Sequence, residues 1–193
     1  MRFATALAAA LLVTGLTAGT AHAGTVTLQT GAVPYRCSYP GVGLQNSTFA
    51  ASFTTDDVVA PGSTITLRNV SLTQVVPAPL RALLASLGYD GVRGGLTASI
   101  TAANAYPDAP VSGILGEQTF PASGPMTFHV AAGDVTTGAG LAGTIEFALS
   151  AQLREDLEFR KKATGTWVPW SSTCRVAVPV PPGAAFQPDI AIS

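Results

Sequence analysis

A mainly β protein, an antiparallel sandwich carrying one short amphipathic helix, is what this 193-residue sequence predicts. Three observations carry that reading. Short stretches alternate apolar and polar residues with a period of two, the spacing that turns one strand face to a core and the other to water. Gly, Pro, Asn and Asp recur between those stretches and mark turns. The only two cysteines, Cys37 and Cys174, stand near opposite ends of the patterned region, so a bond between them would clasp it.

At the N-terminus, Met1-Arg2, an apolar run from Phe3 to Val13, and Ala21-His22-Ala23 before Gly24 have the parts of a secretory leader. Residues 1–23 are therefore expected to be removed after Ala23. An uncleaved anchor is the alternative, but the run falls short of the roughly 20 residues that span a bilayer. No second such run follows, so no transmembrane segment is expected in the mature chain. What remains is one domain's worth, read as 24–178 with a Pro-rich tail over 179–193. In an exported chain two cysteines most simply pair, with two separate thiols as the alternative. Asp, Glu, Lys and Arg make up 11% of the residues and the formal net charge is −1. That excludes the basic stripe a nucleic-acid binder needs, and the one dense charged run, Arg154 to Lys162, mixes both signs.

Taken in order, Thr25–Leu28 and Ala32–Tyr39 read as short strands cut by Gly31, Pro34 and Pro40, with Cys37 in the second. Ser47–Thr54 alternates cleanly, with Phe49, Ala51 and Phe53 on one face. Ser63–Val76 carries Ile65 and Leu67 on one parity and Val70 and Leu72 on the other. A bulge near Arg68-Asn69, or a change of sheet there, would let all four face inward. Pro79 opens the one helix, 79–87, whose Leu80, Leu83, Leu84 and Leu87 form a stripe closed by Gly88 and are expected to cap the core.

Tyr89–Gly95 reads as a glycine-rich turn, Leu96–Ala102 as a strand and Asn104–Pro110 as a loop. Val111–Phe120 and Met126–Val130 follow as strands, and Gly133–Gly143 as a long flexible connection. The next strand buries Ile145, Phe147, Leu149, Ala151 and Leu153. Residues 153–162 have helical propensity, yet Leu157 and Phe159 keep the preceding parity, and strand is chosen. A turn at Lys161–Gly165 leads to the last long strand, Thr166–Val178, with Trp167, Trp170 and Cys174. The whole pattern suits an immunoglobulin-like sandwich whose bridge ties first strands to last.

Several of these residues together resemble a family of uncharacterised secreted actinobacterial proteins defined by a domain of unknown function. They are Tyr35-Arg36-Cys37 after the leader, the helix ending at Gly88 with the Val92–Thr101 strand, the Leu157–Thr166 hairpin, and Cys174-Arg175-Val176 before Pro182-Gly183. The charged Arg154–Lys162 hairpin departs from the usual pattern. The resemblance implies an exported, β-rich domain and no activity.

Chemistry is sparse. His129 is the one histidine of the mature chain and alternates outward, and no G-x-S-x-G is present, so a serine hydrolase lacks its parts. One His and two pairing Cys cannot supply a zinc site, and no metal or cofactor is expected. A carboxylate pair for glycoside cleavage would come from Asp56, Asp57, Glu117, Asp134, Glu146, Glu155, Asp156 or Glu158, and depends on a spacing in space that sequence does not give. Tyr35, Tyr39, Tyr89, Tyr106, Trp167 and Trp170 could offer flat faces to a sugar, though a Trp near a disulfide more often packs in a core, and only one of Trp167 and Trp170 is expected to point inward. The expected function is a secreted, non-catalytic interaction or structural role at the cell envelope, with a protein or cell-wall polysaccharide as partner. The alternatives are a carbohydrate-binding module using Trp170 and Tyr106 and, less favoured, a hydrolase.

Overall fold

The computed structural model describes residues 24–177 and 184–193; the leader expected over 1–23 and the prolines at 179, 181 and 182 lie outside the described residues. Alternating sequence becomes strand almost throughout. The first half forms β1 (Thr25–Gln29), β2 (Val33–Tyr39), β3 (Gly43–Asp56), β4 (Val58–Val59) and β5 (Thr64–Val76), followed by α1 (Ala78–Ser86). The second forms β6 (Tyr89–Ala103), β7 (Ala105–Tyr106), β8 (Ala109–Thr119), β9 (Met126–Ala131), β10 (Val135–Ala139), β11 (Gly143–Leu149), β12 (Gln152–Lys161), β13 (Trp167–Val176) and β14 (Ile190–Ile192).

Hydrogen-bonded neighbours run β4-β14-β11-β6-β12-β13-β2-β3-β5-β10-β7, with β1 beside β3, β8 beside β6 and β9 beside β5. Every ladder is antiparallel except the short β14–β4 contact. The sheet folds over on itself, because Phe53 of β3 meets Phe147 of β11 with ring centroids 5.3 Å apart although four strands separate them along the ladder. The mainly β sandwich with one helix predicted from sequence is thus the fold observed. It is not closed into a barrel: between β8 and the end of β9 there is, among the described residues, one isolated bridge, from Gly113 to Ala132 just past β9.

β3 turns Phe49, Ala51 and Phe53 into the core as its alternation requires. In β5 the parity conflict is settled where the sequence locates it. Asn69 sits at φ 54°, a region Asn tolerates, and the register against β3 slips between Ser52 and Thr54. Ile65 and Leu67 before the slip, and Val70 and Leu72 after it, are then all buried. At the same place β5 exchanges its outer neighbour, β10 for β9. Residues 152–161 are strand, not helix, and β12 pairs along β6 after Ser150-Ala151 turns the chain out of β11. Ala151 is exposed by that turn instead of buried.

Three other expectations are corrected. Tyr89–Gly95 is not a turn but the first half of β6, running beside β12. Gly94, at φ 141°, is there because any Cβ would overlap the Asp156 carbonyl of the neighbouring strand. The Gly133–Gly143 connection contains β10, which pairs with β5 and β7. Finally, only half the leucine stripe is covered: Leu80 and Leu84 are buried, while Leu83 and Leu87 are 44% and 40% exposed. The helix lies against β6 along one narrow line. Leu84→Ala is therefore expected to destabilise by about 2–5 kcal/mol and Leu83→Ala by well under about 1 kcal/mol, read from urea midpoints. Equal losses at the two positions would contradict this placement.

The last ten residues, read from sequence within the Pro-rich tail, pack onto the body. Phe186 and Ile190 have no exposed surface, Phe186 rests on Phe53 at 4.8 Å between centroids, and β14 extends the sheet beyond β11.

Candidate functional site

The densest chemistry lies where β2, β13, β12 and β5 converge. Arg36 opposes Arg175 and Tyr35 opposes Val176 in the β2–β13 ladder, which puts Cys37 directly across from Cys174. The two are bonded, with Cα atoms 4.2 Å apart, the separation of a close antiparallel pair. The predicted disulfide thus joins adjacent strands, one from each end of the chain, and both residues are fully buried.

Glu155 stands next to it. On β12, Leu153, Leu157 and Phe159 face the core, and Glu155 shares their parity, so the strand that buries them buries a carboxyl as well. One of its carboxyl oxygens and the two sulfurs lie within 4.8 Å of one another. Sulfurs bonded to each other have no thiolate to offer a metal, so this grouping is not a metal site in the oxidised protein. From the facing layer Gln74 of β5 reaches across and donates from Nε2 to Glu155 Oε1 at 2.6 Å and to the Tyr39 hydroxyl at 3.0 Å. Tyr39 in turn shares a 2.6 Å hydrogen bond with Ser47 of β3. All four side chains are essentially without exposed surface.

Glu155 Oε2 and Gln74 Oε1 have no protein hydrogen-bond partner among the described residues. A charged carboxylate would leave a bare anionic oxygen in an apolar surround, which is the costly form. Burial pushes the Glu155 carboxyl up to about 7, with the Gln74 hydrogen bond opposing only in part. Burial also raises the Tyr39 hydroxyl far above its ordinary value, and the Glu155 charge adds to that effect. Tyr35, whose hydroxyl donates to the Ser150 carbonyl at 2.6 Å, is pushed up to about 12 by burial. Such a cluster can hold a proton, and it does so among side chains with essentially no exposed surface.

The residues singled out in the sequence lie elsewhere. Trp170 packs half-buried against the core, its indole N–H donating to the Ser38 carbonyl at 3.0 Å, whereas Trp167 lies under the Arg93 guanidinium at 4.4 Å. Tyr106 is 82% exposed on β7, at the far end of the ladder from β13, beside a shallow hollow of about 330 Å³ that Trp170 does not line. The two candidate contacts are not brought together. His129 is exposed and shares a hydrogen bond with Thr73. Asp56 pairs with Arg68, Asp156 with Arg154, Glu158 with Arg93, and Glu117 with Arg160, which also holds Asp90. Gln74 and Ser47 escape sequence reasoning, though each shares the parity of buried neighbours, Leu72 with Val76 and Phe49 with Ala51.

Fold and cluster together define a disulfide-clasped, mainly β domain with a polar knot in its core. Residues 34–182 match the family of unknown function DUF6801, and the chain belongs to that family. The matched span includes both cysteines and every member of the knot. Among curated proteins and among solved structures nothing matches.

Proposed function

We propose that this is a secreted, non-catalytic protein of the cell envelope or extracellular medium that works by associating with a protein or a surface. The observation that carries the reading is the seal over Glu155: the carboxyl held near neutrality, the property that a general acid would need, has no exposed surface. Export is supported by the leader-like N-terminus and by a buried disulfide, which persists outside reducing compartments. Among the described residues no helix is long and apolar enough to cross a membrane. A second reading, a module binding wall polysaccharide, is favoured only by the exposed Tyr106 ring beside its hollow.

One experiment separates these. The oxidised protein is incubated with purified cell wall, chitin and cellulose, and both retention and released reducing sugar are measured. Neither retention nor release is expected. Retention abolished by Tyr106→Ala would transfer the function to the polysaccharide module, and released sugar would overturn the non-catalytic reading.

A further inference from the structure

The outer face of the same two strands carries an arrangement that the buried knot does not explain. The register that sets Cys37 across from Cys174 also sets Arg36 across from Arg175, on the opposite face of the sheet. Both arginines are exposed. Gln152 of β12 flanks Arg175 and Asn46 of β3 flanks Arg36, so four polar side chains form a row across four strands. Like charges directly opposite each other destabilise a ladder. The chain has ten lysines and arginines in all, yet places two of them here.

No carboxylate offsets the pair. All eleven Asp and Glu residues lie in described parts of the chain, and four other arginines take up the ion pairs found there. Neither Arg36 nor Arg175 has an ion-pair or side-chain hydrogen-bond partner among the described residues. Arg36 and Arg175 border a hollow of about 460 Å³ that is also lined by Thr173, Leu44, Val176 and Ala177. Leu44 is 58% exposed there and offers the hollow an apolar side.

We propose that this hollow binds an oxyanion, a phosphate or carboxylate, carried on a molecule with a short apolar segment. Two planar forks on adjacent strands, with Cβ atoms about 5 Å apart, can each give two parallel N–H donors to one oxyanion. The anion removes the repulsion between them, and Thr173 adds a hydroxyl. The apolar segment lies along Leu44 and Ala177. The site names a ligand chemistry for the binding role proposed above and rests on that role; sugar release from a glycan would overturn the role alone, whereas the titrations below address the site alone.

The test uses the full oxidised protein in calorimetric titrations with octyl phosphate, octanoate, octyl glucoside and inorganic phosphate, all below micelle-forming concentrations. One of the two octyl anions is expected to bind and the neutral glucoside is not; which anion binds more tightly assigns phosphate or carboxylate. Arg36→Gln and Arg175→Gln should each weaken that binding about ten-fold or more. Leu44→Ser should weaken the octyl anion and leave inorganic phosphate unchanged. The unliganded Arg175→Gln protein should unfold at the same temperature as the native protein or a higher one, which separates lost binding from lost fold. Silence from both octyl anions, equal binding of the glucoside, or arginine variants that bind like the native protein would overturn the proposal.

Discussion

Replacing Cys37 and Cys174 together by alanine should lower stability by about 4–5 kcal/mol, the largest effect expected of any change considered for this protein. The bond closes a loop spanning 137 residues of sequence separation, so its loss frees the unfolded chain more than it alters native contacts. It also removes two fully buried sulfurs from the wall beside Glu155. A loss of that size approaches the whole stability of a modest domain, and the double variant is expected to be largely unfolded at 37 °C. Urea unfolding of the oxidised native protein and the variant, at one pH, gives the difference. The variant should show a lower midpoint and a steeper dependence on urea, because its unfolded state exposes more surface. A change below about 1 kcal/mol would mean that the strand ladders hold β2 to β13 without the bond.

The second large effect is on pH. Glu155 has an ordinary carboxyl value of 4.5 when unfolded and about 7 when folded, raised by burial. Below pH 4.5 both states hold the proton and the group contributes no pH dependence. Between 4.5 and about 7 the folded state binds more protons than the unfolded one, so stability falls as pH rises, by about 1.4 kcal/mol per unit. Above 7 both states have lost the proton and the penalty levels off at roughly 3 kcal/mol. The protein should therefore be more stable at pH 5 than at pH 8. Glu155→Gln, neutral at every pH, should flatten the profile across that window and exceed the native protein at pH 8. Urea midpoints measured at half-unit steps would show it. A native profile that rises from pH 5 to 8, or a Gln variant with the same slope, would contradict it.

The oxyanion hollow and the proton-holding knot occupy opposite faces of the β2–β13 ladder, and register ties them together. Within each strand, alternate residues go to the interior, giving Tyr35, Cys37 and Tyr39 on β2, and to the surface, giving Arg36. A one-residue slip would exchange the two sets. Holding Cys37 opposite Cys174 therefore also holds Arg36 opposite Arg175.

Much of this is legible in the sequence. Period-two alternation located the inward face of β3, the broken parity of β5 located its bulge at Asn69, and the parity of Leu157 and Phe159 outweighed helical propensity in β12. Each of these depends on residues within one strand, where side-chain direction follows from position alone. What could not be read depends on contacts between distant strands. Gly94, with Gly91 and Gly95 beside it, reads as a turn because a glycine demanded by a neighbouring strand looks the same in sequence as one demanded by a reversal of the chain. The stripe of α1 does not tell which of its leucines are core, because the width of the surface beneath a helix is set by the sheet it rests on. Glu155 lay in a visibly mixed charged run whose parity already pointed it inward, but Gln74, 81 residues away, meets it only because the sheet folds over.

Glu155 is sealed in the core, and burial there holds its carboxyl well above the ordinary carboxylate range. The direct measurement is the pH titration of its side-chain carboxyl carbon by NMR in the oxidised protein. A midpoint near 7 is predicted. A midpoint at the ordinary 4.5 would place the carboxylate in contact with water, and both the closed core and the non-catalytic reading would have to be given up.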